Sequence, residues 1–193
     1  KQEGAFQTLE LDLCHAENCF VVFRHDGRQQ AEPKKNPEKG KTIKLNEPWT
    51  IKFPNGWGTP DSISVTVLAP WKDLPLGEEG RAFSGTANYT TKFRLEKNES
   101  DMNLTLDLGQ VDMIADVKIN GKPAGILWAP PYTLYIGDIV KAGENVLSID
   151  VTSTWYNRLA YDASQPEEKR KTWTIAGPAA NSPLHNSGLI GPV

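Results

Sequence analysis

The chain has 193 residues, 38% of them hydrophobic, and a formal net charge of −3, the profile of a folded globular domain rather than of a disordered chain. No basic stripe marks a nucleic-acid surface, and no apolar run approaches the roughly 20 residues that a membrane-spanning helix requires. The opening Lys1-Gln2-Glu3-Gly4 lacks the layout of a signal peptide and reads as an interior cut point, with any export signal expected upstream.

Strand patterns dominate. Leu9, Leu11 and Leu13 alternate with Glu10 and Asp12, and 19–23 is a short apolar run rich in β-branched and aromatic residues. Over 1–27 these stretches read as short strands. From 26 to 44 the apolar periodicity gives way to Gly, Pro, Gln, Lys and Asn, so a linker is expected over 28–45. A second series of strands then begins and defines a domain over 46–193. Alternation marks 49–53, Ile63 to Val67 by twos, Tyr89-Thr91-Phe93-Leu95, and Leu104-Leu106-Leu108. A longer strand is expected over 111–119. Asn120-Gly121 follows it, the pair that best tolerates positive φ at both centres of a two-residue hairpin turn. The return strand runs over 123–128, and 132–136 and 146–152 complete the series. No amphipathic helix of more than about two turns is evident, and 138–142 reads as a single turn. The last stretch, 165–193, is rich in Pro, Gly, Ser and Asn and reads as an ordered tail wrapped over the sandwich, because Trp173 and Leu189-Ile190 would otherwise be exposed; a disordered end is the alternative. Short, evenly spaced strands joined by such turns predict an all-β sandwich or barrel.

Cys14 and Cys19 leave two readings open: a disulfide across a turn in an oxidising compartment, or two half-buried thiols. His15 adjoins Cys14, but no second ligand pair follows at zinc spacing. Gly40-Lys41-Thr42 ends like a phosphate-binding loop, yet Lys35 stands where that loop needs Gly. The nucleophile-elbow pattern Gly-x-Ser-x-Gly is missing, and His15, His25 and His185 lie too far apart for a ligand motif. Three short glycosylation sequons, at Asn88, Asn98 and Asn103, carry little weight. Glycosidases use two carboxylates, roughly 5–9 Å apart. Nothing in the spacing of Asp107, Asp112, Asp116, Asp150 and Asp162 singles out such a pair, so no catalytic residue is assigned.

The six tryptophans, Trp49, Trp57, Trp71, Trp128, Trp155 and Trp173, are the remaining signal. A sugar ring packs its C–H face flat on an aromatic ring and offers hydroxyls to planar polar groups. Trp155, Tyr156, Asn157 and Arg158, with Asp162 nearby, bring those residue types together, and Trp128 and Tyr132 flank a proline loop. These seven are the candidate carbohydrate-binding residues. The competing reading makes the same aromatics core or interdomain packing, and Trp49 and Trp71 read as core.

The run Phe83-Ser84-Gly85-Thr86-Ala87-Asn88-Tyr89 is similar to the Phe-x-Gly-x-Ala-x-Tyr signature of the glycoside hydrolase family 2 type sugar-binding domain. Val117-Lys118-Ile119-Asn120-Gly121-Lys122-Pro123, Gly125 and Trp128-Ala129-Pro130-Pro131-Tyr132 resemble its central hairpin. Gly143-Glu144-Asn145-Val146-Leu147 and Trp155-Tyr156-Asn157-Arg158-Leu159 resemble its closing strand and loop, and order and spacing agree over 48–162. Trp173-Thr174 and Ser187-Gly188-Leu189-Ile190-Gly191-Pro192-Val193 resemble the C-terminal end of bacterial family 106 α-L-rhamnosidase-like proteins, and 9–25 resembles the last strands of the domain before it.

The resemblance implies a galactose-binding-like jelly-roll β-sandwich. It implies a non-catalytic accessory domain of a polysaccharide-degrading glycoside hydrolase of Bacteroidetes, periplasmic or extracellular. The catalytic domain, upstream in the same polypeptide, would then be the partner. No nucleic acid or membrane partner and no cofactor are expected. Some such sandwiches hold a structural Ca²⁺ ion, which stays open here because no ligand spacing marks one. The alternative function is an independent, lectin-like carbohydrate-binding module.

Overall fold

The computed structural model describes residues 2–3, 6–7, 9, 11, 19–22, 42–100 and 103–193. Two short strands, β1 (Gln2–Glu3) and β2 (Phe6–Gln7), pair antiparallel. Cys14, most of the 1–27 stretch and all but the end of the 28–45 connection lie outside the described residues, while Cys19 is exposed.

The centre of the fold is a ten-residue pair. β5 (Thr86–Leu95) and β11 (Gly143–Thr152) run antiparallel in unbroken register, from Thr86 opposite Thr152 to Leu95 opposite Gly143. A side-chain period of two puts Ala87, Tyr89, Phe93 and Leu95, with Leu147, Ile149 and Val151, on one buried face. On one side of this pair lie β3 (Trp49–Lys52) and then β4 (Ser62–Val65). On the other lie β8 (Ile114–Ile119) and then β9 (Lys122–Leu127), giving a six-stranded sheet of order β4-β3-β5-β11-β8-β9. The opposite layer holds two short ladders. One pairs β6 (Thr105–Asp107) with β10 (Thr133–Tyr135); the other pairs β7 (Gln110–Val111) with β12 (Leu189–Gly191). Leu106, Leu108, Val111 and Leu189 from this layer are buried in one cluster with Ile51, Tyr89, Val117 and Ile149 from the sheet. The molecule is thus a two-layer β-sandwich, with each fully buried aliphatic or aromatic side chain contributing about 1.5–3 kcal/mol.

The Asn120-Gly121 turn forms as expected, with φ of 54° and 78°. Three expectations are corrected. The stretch 111–119 is not one strand: Met113 takes φ 71°, and the chain crosses there from β7 in one layer to β8 in the other. The Asp112 amide donates to the Gly188 carbonyl at 3.0 Å, so the crossing is tied to the C-terminal segment.

Helices are the second correction. Beside the short α1 (Gly77–Arg81) and α2 (Lys97–Ser100), nine residues form α3 (Tyr156–Ser164), two and a half turns. Its inward face carries Asn157, Arg158, Ala160 and Asp162, so no apolar stripe announced it. Among the described residues no helix is long and apolar enough to cross a membrane.

The tail 165–193 is ordered against the sandwich and ends with the Leu45 amide donating to the Val193 carbonyl. It covers Leu189, which is fully buried. It does not cover Trp173, which remains 78% exposed, contrary to expectation.

Candidate functional site

The chain leaves β11 at Thr152 and enters α3 after a tight corner. The Ser153 amide donates to the Gly85 carbonyl at 3.0 Å, and the Ser84 hydroxyl accepts from the Arg158 amide in the first turn of the helix. The start of β5 therefore sets where α3 begins.

Arg158 and Asp162, one turn apart, meet along the buried face. The Arg158 Nη2 and Nε donate to Asp162 Oδ1 and Oδ2 at 2.5 and 3.0 Å, and Nη1 donates to Glu79 Oε1 at 2.8 Å. The guanidinium lies 5.4 Å from the Trp57 ring centre and 5.2 Å from that of Tyr161, a cation–π arrangement on two rings. Asp162 Oδ2 also accepts from the Thr172 amide (2.7 Å), the Thr172 hydroxyl (2.6 Å) and the Lys171 amide (3.1 Å). Lys171 Nζ closes the circuit on Glu79 and on the Gly56 carbonyl, both at 2.6 Å. Burial alone would raise the Asp162 carboxyl, but the hydrogen bonds from Arg158 and Thr172 outweigh it and hold the group below its ordinary value. Burial likewise opposes charge on Arg158, and its two carboxylate partners prevail and raise it.

Asn157 latches a second point of the tail. Its amide donates to the His185 carbonyl and the Ser187 hydroxyl, each at 2.9 Å, and its carbonyl accepts from the His185 amide at 2.8 Å. Tyr156 stacks flat on the His185 ring at 3.8 Å.

The seven sequence-selected residues thus fall into two groups. Five lie on or beside α3. Of these, Asn157, Arg158 and Asp162 are buried, Asn157 and Asp162 bonded to the tail and Arg158 to Asp162 and Glu79, Tyr156 is half-buried on His185, and Trp155 is 47% exposed in edge contact with Trp57 at 5.3 Å. The other two follow β9: Trp128 is 68% exposed, and Tyr132 is half-buried with its hydroxyl donating to the Met113 carbonyl at 3.3 Å. Exposed Ile114 and Ile126 flank Asp116 on the β8–β9 pair near Trp128.

Glu79, Lys171, Thr172 and His185 complete the α3 network and escaped the sequence reading, because they come from segments scattered along the chain. The five candidate catalytic carboxylates all have neighbours. Asp107 accepts from the Gly109 amide, Asp112 is bonded by Ser187, Asp116 and Asp150 share Lys118, and Asp162 holds Arg158. Among the described residues no three of His, Cys, Asp or Glu gather to hold a metal ion.

Comparison with known proteins agrees with this architecture. The family model described as "Glycosyl hydrolase 2 galactose-binding domain-like" matches residues 81–185. A protein of Formosa agariphila named "Putative beta-glucuronidase" is 40% identical over 126 residues, covering 64% of this chain and 11% of that protein. A rhamnosidase structure from Novosphingobium sp. PP1Y superposes with a TM-score of 0.72 at 35% identity, covering 86% of this chain and 16% of that one. A beta-glucuronidase structure from an uncultured Clostridium sp. gives 0.51 at 25% identity over 57% of this chain and 22% of that one. The chain spans a small part of the length of each of these proteins.

Proposed function

We propose, because the chain belongs to the glycosyl hydrolase 2 galactose-binding domain-like family, that it serves as a non-catalytic accessory domain of a carbohydrate-degrading enzyme and packs on the catalytic domain of the same polypeptide. The observation that carries this reading is the contrast on its surface. The polar groups of α3 that sugar recognition would need are closed within the molecule, Asn157 and Asp162 on the tail and Arg158 on Asp162 and Glu79, while Ile114, Ile126 and Trp128 stand exposed on the β8–β9 side of the sheet. An apolar patch of that kind marks a surface awaiting a protein partner.

The finer assignment rests on the likeness to the Novosphingobium rhamnosidase and on the Ser187-Gly188-Leu189-Ile190-Gly191-Pro192-Val193 motif. It reads the parent as an α-L-rhamnosidase-like enzyme of family 106 from a polysaccharide-degrading Bacteroidetes bacterium, periplasmic or extracellular, with this domain near its C-terminal end. A second reading, a lectin-like carbohydrate-binding module, is favoured by the exposed rings of Trp155 and Trp128.

Two measurements test the proposal. The isolated chain should hydrolyse neither an aryl rhamnoside nor an aryl glucuronide, and turnover by the purified chain overturns the accessory role. Ile126→Asp combined with Trp128→Ala should leave the chain folded and abolish its association with a separately produced catalytic domain. Retained association removes the sheet edge as the docking face.

A further inference from the structure

We propose that the tail loop 172–184 is a preformed docking arm whose Trp173 and Ile175 side chains seat in an apolar groove of the catalytic domain. The identity of that partner rests on the accessory-domain reading above. The arm itself is a contact surface built from other residues than Ile114, Ile126 and Trp128.

The loop is anchored at both ends while its middle stays in water. At its start, Asp162 accepts from the Thr172 amide and hydroxyl, and Lys171 Nζ donates to the Gly56 carbonyl. At its return, the Leu184 carbonyl accepts from Lys72 Nζ at 3.2 Å, and Asn157 holds His185. Between these points the Thr174 hydroxyl donates to the Ala176 carbonyl at 3.2 Å, and the Ser182 amide donates to the Ala179 carbonyl at 3.0 Å. Trp173 and Ile175, two positions apart, remain 78% and 91% exposed. Burying two such side chains against a partner is favourable, and a loop shaped in advance loses less entropy on docking.

Composition selects the kind of partner. No Asp, Glu, Lys or Arg occurs over 172–184, although these residues make up 23% of the chain. Depletion of charge around an aromatic side chain is the mark of the core of a protein interface, where tryptophan is among the residues that carry most of the binding energy. The loop has none of the cations that draw nucleic acid or an anionic lipid surface.

Strand register puts the loop at the same end of the molecule as the other exposed rings. Thr152 lies opposite both Thr86 and Ile114, and Leu127 lies opposite Ala115, so β5 and β8 begin, and β11 and β9 end, at one end of the sheet. Trp155 and Trp128 follow β11 and β9 there. The 53–61 connection from β3 to β4 is at that end too, because Lys52 lies opposite Asn88, and it brings Trp57 against Trp155. The loop is fastened to this end at Gly56 and Asp162. A single domain seated on it meets Trp128, Trp155 and the loop together, which is why one partner serves both surfaces.

The test is hydroxyl-radical footprinting, read by mass spectrometry, of the isolated chain and of the complete enzyme polypeptide that contains it. In the isolated chain Trp173 should oxidise readily, and the fully buried Trp71 should not. In the complete polypeptide Trp173 should lose most of its reactivity. Trp173→Ala should lower the melting temperature of the complete polypeptide and leave that of the isolated chain unchanged, since Trp173 stands in water only in the latter. Ile175→benzoylphenylalanine should cross-link to the catalytic domain on illumination, and a cross-link to another domain overturns the proposal. Equal reactivity of Trp173 in both forms also overturns it: with Trp128 protected the accessory role stands without the arm, and with neither ring protected both fall. Protection of Trp173 without Trp128 supports the arm and removes the β8–β9 face. Trp173 already protected in the isolated chain overturns the proposal in favour of another part of this chain, or of a second copy if protection grows with concentration. Protection by phosphatidylcholine vesicles overturns it in favour of a lipid surface.

Discussion

Arg158 and Asp162 grip each other through two hydrogen bonds, with side chains 1% and 2% exposed, on a helix whose inward face is polar. The pair is the hub of the C-terminal attachment, since Asp162 also holds the amides of Lys171 and Thr172. Asp162→Asn keeps the shape but removes one of the two carboxylates paired with the buried guanidinium, leaving Glu79. Breaking a buried pair on one side costs about 3–5 kcal/mol. Denaturant titration should show that loss, and hydrogen exchange should show the amides of 171 and 172 losing protection first. A variant as stable as the parent would show that Glu79 alone suffices for Arg158.

Acid should loosen the same attachment. Asp162 and Asp150 are held below the usual carboxylate range because hydrogen bonds, from Arg158 and Thr172 in one case and from Asn88 and Lys118 in the other, outweigh burial. Glu79 is lowered by its hydrogen bonds to Lys171 and Arg158. A carboxyl depressed in the folded state binds fewer protons there than in the unfolded chain. Its contribution is therefore present above the unfolded value of about 4 and is lost as pH falls through the folded value. Asp112, raised by burial, acts in the opposite sense and offsets part of this. The melting temperature should hold from neutrality to about pH 5 and fall steeply below about pH 4. Asp162→Asn should flatten that acid limb, and an unchanged limb would remove Asp162 as a cause.

Tyr89 joins the sheet to the tail inside the core. Its hydroxyl accepts from the Trp71 indole at 2.5 Å and from the Leu189 amide at 3.1 Å. Tyr89→Phe preserves the ring and leaves both donors buried without an acceptor, at about 1–3 kcal/mol for each. Thermal unfolding should register the loss, with a change in tryptophan emission from Trp71. Full retention of stability would mean that water enters and replaces the hydroxyl.

Gly85, immediately before β5, takes φ +128°, a conformation closed to β-branched residues, and its carbonyl receives the Ser153 amide at the corner into α3. Gly85→Val should therefore lower stability by about 1–3 kcal/mol through backbone strain. Calorimetry decides it: an unaltered melting temperature would show that the corner relaxes freely.

Most of the sheet was legible in the residues. Alternation over Tyr89, Thr91, Phe93 and Leu95 and over 146–152 reports which face is buried in β5 and β11, because a strand side chain points to one face or the other. Asn120-Gly121 reports its hairpin for an equally local reason, the φ values its two residues accept. The candidate site was legible only in part. Trp128 and Trp155 stand exposed, as a binding role would need. Asn157, Arg158 and Asp162 carry the polar groups expected of a sugar site and point inward. A buried polar helix face has no apolar period by which to recognise it.

From residue order alone came the β class, the turns, the core tryptophans Trp49 and Trp71, and the family likeness, because each is written in neighbours along the chain. Only the tertiary structure decided what α3 does. Asp162 meets Thr172 and Glu79 meets Lys171 across 10 and 92 positions, and Asn157 meets His185 across 28. A hydrogen bond between distant segments depends on where the folded backbone brings them. Whether a polar side chain faces a ligand or its own chain is settled by that packing, not by its type.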